Sequence, residues 1–323
     1  MKLYDIKEKL AKWRDDSETG RLVFVTIRHV ALKFLSLIPD KPYAKLFYKV
    51  YTGKNLNLDN PTSFNEKLWW LKLNNRDPLL TVCSDKHRAR KYVRKCGYED
   101  ILIPQIGVFK NANDIDFSKY KEPVIIKCNN GSGGNVLYDP ANRTFDEKRA
   151  KNSLNKTLKE KYYQISREWN YKNIPPRIVV EKVIRDKNGN LPSDYRFFCF
   201  DGVPKIMMMD IGVLNKEGRH QFEFPRNIYD MDFNLMPIRF GRDNYKGHVD
   251  KPENYERMVE IASNLSKPFP MCRVDLYNID GKIYFGEMTF YHGGCCQEIT
   301  PSEWDYRLGS WIDIKSSKII KKK

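Results

Sequence analysis

Residues 271–290 read MCRVDLYNIDGKIYFGEMTF, two apolar strands on either side of Ile279-Asp280-Gly281, with Arg273, Asp275 and Glu287 set inside them. Charges in apolar strands are costly to bury unless they are paired or bound to a metal. A three-residue loop with glycine at its left-handed position is a favoured hairpin connection. It predicts Asn278 opposite Lys282, then Tyr277 with Ile283, Asp275 with Phe285 and Arg273 with Glu287. Side chains alternate with period two, so Arg273, Asp275 and Glu287 are expected on one face. A two-residue loop would send Glu287 to the other face. Two chemistries suit the trio. One is a cross-strand Arg273–Glu287 salt bridge. The other is a Mg²⁺ site, because Mg²⁺ commonly takes one or two protein carboxylates and completes its shell with phosphate and water. No Cys/His cluster competes for a softer metal.

Outward from the hairpin, the chain of 323 residues suffices for one large or two modest domains. Seven cysteines without regular spacing, Cys295-Cys296 among them, argue against both a disulfide framework and a zinc site, and fit a reducing cytoplasm. Met1 leads directly into KLYDIKEKLAKW, which is no signal peptide. The stretch Arg21–Ile38 is apolar but interrupted by Arg28, His29 and Lys33, so it makes a poor spanning helix. It is expected to pack on the domain or to lie on an anionic membrane surface such as the inner face of the membrane. A net charge of +16 favours anionic partners. The charge is diffuse and no nucleic-acid motif accompanies it, which leaves ATP, anionic sugars and acidic lipids. The terminal KSSKIIKKK is a solvated or lipid-facing tail.

Residues 1–98 read as a mainly helical region. Ser63-Phe64-Asn65-Glu66 is a capping-box pattern ahead of Leu68-Trp69-Trp70-Leu71, whose tryptophans are expected in the core. A further helix is expected from Ser84 to near Gly97, with Lys86 and Arg90 on one face. From Ile101 short strands dominate, interrupted by helical pattern between Tyr138 and Asn173 and again over Asn254–Leu265. Strands grouped apart from helices, with hairpins expected at KNGN and FDGVPK, predict an α+β fold. The expected division is a helical region 1–98, a lobe over 99–185 and a second lobe over 186–323.

Three further patterns carry chemistry. In Val124-Ile-Ile-Lys-Cys-Asn-Asn-Gly-Ser-Gly-Gly134, a strand ending in Lys127 runs into Gly131, Ser132, Gly133 and Gly134. Glycines let backbone amides approach phosphate oxygens, and lysine neutralises them. This is not a Walker loop, which opens a helix with Gly-Lys-Ser/Thr. A flexible hairpin is the plainer explanation. In Arg177–Ile184 the pair Glu181-Lys182 precedes a turn. It suits either a strand that offers its backbone to a purine and a carboxylate to ribose, or a solvated sheet edge. In Asp194-Tyr195-Arg196 and its return strand, Arg196 and Lys205 could reach an anionic ligand.

The order of these pieces resembles the ATP-grasp superfamily. Asn60-Pro61, Ser63–Leu68, Ser84-Asp85-Lys86, Asp194-Tyr195-Arg196, Phe200-Asp201-Gly202, Asp275-Leu276-Tyr277 and Gly286–Phe290 are similar to the TupA-like ATP-grasp proteins of bacterial surface-polysaccharide clusters, over about Pro39 to Trp311. The resemblance implies two α+β lobes clasping ATP. Lys86 and Lys127 would contact phosphates under residues 131–134, Glu181, Lys182 and Val183 would flank the adenosine, and Lys205 would add to the nucleotide site. Asp275 and Glu287 would bind Mg²⁺, and Arg273 would face the transferring phosphoryl group. Many relatives carry asparagine two residues after the last glutamate; here Thr289 stands there as the remaining metal ligand. The implied reaction joins a carboxylate to an amine through an acyl phosphate, with a hexuronic acid or amino acid as substrate in capsule or O-antigen modification. A sugar-nucleotide glycosyltransferase and a non-catalytic nucleotide-binding module are the alternatives.

Overall fold

The computed structural model describes residues 37–212 and 224–321. The apolar segment from Arg21 therefore lies almost wholly outside the described residues, as do the last two lysines of the basic tail. Among the described residues no helix is long and apolar enough to cross a membrane.

Four helices come first: α1 (Asp40–Thr52), α2 (Phe64–Asn74), α3 (Pro78–Ser84) and α4 (Ala89–Lys95). Ser63 caps α2 as expected: its side chain accepts from the Glu66 amide while the Glu66 carboxylate accepts from the Ser63 amide. The helix expected from Ser84 is not one helix. Asp77 and Pro78 open α3, which ends at Ser84, and Asp85 then accepts from the amides of His87 and Arg88 before α4 begins. Lys86 sits in this turn, so it does not share a helix face with Arg90. A short aspartate side chain that caps the next turn competes with helix continuation, and spacing alone does not reveal this.

A four-stranded antiparallel sheet follows, made of β1 (Gln105–Phe109), β2 (Val124–Cys128), β3 (Val136–Tyr138) and β4 (Ile178–Lys182) in the order β1-β4-β2-β3. Helix α5 (Glu147–Lys159) covers it, with Ala150 and Leu154 against Ile126, Ile178 and Val180. The short α6 (Tyr162–Ser166) leads back towards β4. The second sheet holds β5 (Asp194–Phe200), β6 (Val203–Asp210), β7 (Arg226–Tyr229), β9 (Met271–Ile279) and β10 (Lys282–Thr289), all antiparallel in the order β10-β9-β5-β6-β7. A small ladder joins β8 (Arg239–Phe240) to β11 (Ile299–Thr300). The KNGN turn therefore links two sheets and makes no hairpin, whereas Asp201-Gly202 does close the β5–β6 hairpin.

The larger sheet is buried on both faces. Helix α7 (Tyr255–Ser266) packs on one side, placing Tyr255 against Phe197. On the other, Phe64 of α2 meets Phe198 and Phe200. Phe64, Leu68 and Trp69 are fully buried in the same core as Val274 and Leu276, so the N-terminal helices and the larger sheet share one apolar interior. A last helix, α8 (Glu303–Ser310), closes over α2.

Candidate active site

The β9–β10 hairpin does not have the expected turn. Lys282 pairs with Ile279, so the loop is only Asp280-Gly281, with positive φ at both residues. That is the favoured two-residue geometry. Left alone, this register would put Glu287 on the wrong face. A β-bulge at Gly286 reverses the effect: Phe285 pairs with Leu276, Gly286 is the extra residue, and Glu287 pairs with Asp275. Thr289 then stands opposite Arg273. The four side chains share a face, by a route the sequence reading did not foresee. A Cβ on Gly286 would lie 2.9 Å from the Asp275 carbonyl oxygen and 3.3 Å from the Tyr277 ring, which explains the glycine.

Arg273 is the centre of this face. Its Nε and Nη2 donate to both oxygens of Asp275 at 2.7 and 2.6 Å, a fork-to-fork pair. Nη2 also reaches Thr289 Oγ1 at 3.0 Å and Glu287 Oε1 at 3.5 Å. Nη1 lies 2.7 Å from His292 Nδ1. An arginine can only donate, so Nδ1 accepts, and His292 is the neutral tautomer with its proton on Nε2. Burial and the Arg273 charge agree with this, holding its pKa well below the usual histidine range. Burial raises the Asp275 pKa to about 6 despite Arg273. Burial also opposes ionisation of Glu287, but Lys86 and Arg273 outweigh it and hold that carboxyl below the ordinary glutamate value.

A second ring of charge surrounds the first. Arg196, directly opposite Asp275 on β5, bonds to Asp194 at 2.8 Å and to Asp210, with Nε 3.8 Å from Asp275. Arg226 clamps Asp210 from β7. Asp210 is thereby held below the ordinary aspartate pKa although burial opposes it.

Lys86 reaches this region from the turn before α4. Its Nζ donates to the Gly131 carbonyl at 2.8 Å, and Glu287 is the foremost charge supporting its protonation against burial. The Gly131 carbonyl thus anchors Lys86 to the glycine-rich loop, while Ser132, Gly133 and Gly134 are exposed, the last two with positive φ. Lys127 pairs with Glu181 at 3.0 Å, and Arg90 of α4 reaches the other oxygen at 3.3 Å. Glu181 is therefore buried and doubly paired, not a solvated edge residue. Arg90 reaches Glu181 across the chain through a single ion pair. Its partners in sequence gave no sign of that. Lys182 is exposed and pairs with Glu122, and the Val183 amide donates to the Pro123 carbonyl. Lys205 does not join the cluster: it is the extra residue of a bulge in β6, exposed beside the Asp201-Gly202 turn.

Asp275, Glu287 and the Thr289 hydroxyl form a hard-oxygen donor set on adjacent strands. Among the described residues no group of three or more His, Cys, Asp or Glu is placed to hold a metal. Arg273 already engages both Asp275 oxygens, Glu287 Oε1 and Thr289 Oγ1, so few protein oxygens are free. The set fits only a cation that draws most of its shell from phosphate and water, as Mg²⁺ does, not a closed protein cage. All seven cysteines are free thiols.

A family model described as "TupA-like ATPgrasp" matches residues 66–313. No curated protein matches the chain. Among solved structures, D-alanine–D-alanine ligase from Bacillus anthracis complexed with ATP aligns at 16% identity and TM-score 0.38, over 68% of this chain and 57% of that one. D-Alanine–D-alanine ligase from Helicobacter pylori aligns at 11% identity and TM-score 0.42, over 79% and 68%. L-Amino acid ligase from Bacillus licheniformis aligns at 15% identity and TM-score 0.41, over 66% and 44%. The chain thus spans under two thirds of the length of the first and last of these.

Proposed function

Since the chain belongs to the TupA-like ATP-grasp family and has the ATP-grasp fold, we propose that it is an ADP-forming ligase that joins a carboxylate to an amine through an acyl phosphate. The observation that carries the reading is the buried face on which Arg273, Asp275, Glu287 and Thr289 meet, with Lys86 and the glycine-rich loop beside it.

In this reading ATP lies between the two sheets. Lys86 and Lys127 meet its phosphates, and the amides of residues 131–134 close over them. Lys127 is now paired with Glu181, so nucleotide entry exchanges one anionic partner for another. Glu181, Lys182 and Val183 border the adenosine. Asp275 and Glu287, with Thr289, would hold Mg²⁺, which when bound offsets charge on the β- and γ-phosphates. The substrate carboxylate attacks the γ-phosphorus, the bond to the bridging oxygen breaks, and ADP leaves. Arg273, kept in place by Asp275 and His292, and the two lysines stabilise the charge that develops in transfer. The amine then displaces phosphate from the acyl carbon. The acid is proposed to be a hexuronic acid or an amino acid of surface-polysaccharide assembly, a reading that the net charge of +16 supports.

Incubation of the protein with ATP, Mg²⁺ and pools of uronic acids, amino acids and amines tests this. The expected result is ADP and phosphate formed only when an acid and an amine are both present. Release of UDP from a sugar nucleotide with ATP ignored would refute ligation in favour of glycosyl transfer.

A further inference from the structure

Glu168 is a buried carboxylate that the reading above does not use. It is 7% exposed, and the structure gives its side chain one weak contact, the Tyr162 hydroxyl at 3.5 Å from Oε1. Among the described residues no cation pairs with it, and its second oxygen has no partner although it is not sealed from solvent. Buried carboxylates are normally paired or hydrogen-bonded, because an unpaired one is costly. This one has been left with an open position.

Its surroundings define what would fill that position. Tyr162 and Tyr171 meet edge to face, 4.9 Å between ring centroids. The Tyr162 side chain lies 3.5 Å from where a Cβ on Gly131 would be, under the same carbonyl that Lys86 holds. Glu287 is near enough to disfavour ionisation of Tyr162, Glu168 and Tyr171 alike, so the group borders the metal end of the hairpin. Lys72 stands behind it. Its Nζ, over the Trp69 ring, donates to the carbonyls of Ser166 and Gly294 at 3.3 and 3.2 Å, and so joins the Glu168 loop to the loop after β10. An acidic oxygen beside two tyrosine rings and a second carboxylate suits a primary ammonium group, held by one charge-assisted hydrogen bond and by the ring faces.

We infer that Glu168, between Tyr162 and Tyr171, binds the ammonium group of the acceptor amine and takes its proton. This rests on the ligase reading and adds the acceptor side of the same site. The ammonium gives one proton to the Glu168 carboxylate, and the freed lone pair attacks the acyl phosphate carbonyl. The new C–N bond forms as the C–O bond to phosphate breaks. Of the two protons still on the attacking nitrogen, one leaves with the phosphate and the other stays as the amide N–H, and Glu168 returns its proton to water.

The titration environment suits that role. Burial raises the Glu168 pKa to about 7, against the pull of Lys72 and the Tyr162 hydrogen bond. The groups facing it are Lys72 on α2, Tyr162 on α6, Tyr171 on its own segment, Glu287 on β10, and Tyr291 and Cys295 after β10. A base that titrates near neutrality both accepts and releases a proton readily.

The experiment has two arms on the full chain. Binding of methylammonium is followed by saturation-transfer NMR with wild type and Glu168→Gln, in the presence of Mg²⁺ and a non-hydrolysable ATP analogue. Binding in wild type that is lost in Glu168→Gln and partly restored in Glu168→Asp supports the site. Equal binding in wild type and Glu168→Gln, or none in wild type, overturns it, and neither result depends on turnover. In the second arm, the acid that supports ADP formation is paired with methylamine or with hydroxylamine, which is largely unprotonated at neutral pH. Glu168→Gln is expected to lower kcat/KM for methylamine about 100-fold and to leave hydroxylamine trapping unchanged. Equal losses with both nucleophiles would show a structural role and overturn the assignment. Absence of ADP formation with every acid would count against the ligase reading alone, because the binding arm still decides Glu168.

Discussion

Gly286→Ala tests the register on which the whole site depends. The new Cβ would sit 2.9 Å from the Asp275 carbonyl oxygen and 3.3 and 3.4 Å from Tyr277 Cε2 and Cζ. The carbonyl belongs to the ladder and cannot retreat without dragging Asp275, and Tyr277 is held beneath it. Gly286 does not have a positive φ, so the whole penalty is contact. Forced overpacking of this kind costs about 1–3 kcal/mol. Gly281 in the same hairpin is the control: it has φ +79° and nothing within 4 Å of its added Cβ. There alanine pays only for the left-handed backbone, about 1–2 kcal/mol, and asparagine pays less because it tolerates that region. Urea unfolding of the four variants Gly286→Ala, Gly286→Asn, Gly281→Ala and Gly281→Asn separates the two causes. Asparagine should relieve the loss at 281 and deepen it at 286. ADP formation should fall only in the 286 variants, because only they shift Asp275 and Glu287. Wild-type stability and turnover in Gly286→Ala would refute the claim that this glycine sets the face of Glu287.

Other outcomes follow from single residues. Asp275→Asn is expected to abolish Mg²⁺-dependent ADP formation and, by leaving the Arg273 charge buried without its forked partner, to cost about 3–5 kcal/mol by urea unfolding. Lys72→Met strands two carbonyls, Ser166 and Gly294, each losing a hydrogen bond to a charged group worth about 1.5–3 kcal/mol; a substantially lower unfolding midpoint is the check. The Glu168 carboxyl has a folded pKa of about 7 against an ordinary value of 4.5. A raised pKa contributes stability fully present below the unfolded value and lost as pH rises through the folded one. Wild type should therefore lose about 3 kcal/mol relative to Glu168→Gln between about pH 4.5 and pH 7, measured as the difference of their unfolding free energies; parallel pH profiles would contradict it. Lys205→Ala should leave the KM for ATP unchanged, since Lys205 is exposed in its bulge; a tenfold rise would place it in the nucleotide site after all.

The sequence by itself determined the residues of the hairpin face and the α+β arrangement. Period-two alternation, the turn glycine and the capping box are local signals, and each is written within a few residues. They marked Arg273, Asp275 and Glu287, the strand before the glycine-rich loop, and the start of α2. Tertiary structure decided the rest. The loop has two residues and not three, and Glu287 returns to the Asp275 face only because Gly286 is squeezed out of the ladder against the Asp275 carbonyl and Tyr277. Alternation cannot announce such a bulge, because the same residues fit both registers until the strands are packed. Arg90 on Glu181, Lys72 between two loops and the open oxygen of Glu168 were equally hidden. These groups lie tens to hundreds of residues apart in the chain, and only packing the helices and loops around the two sheets brings them together.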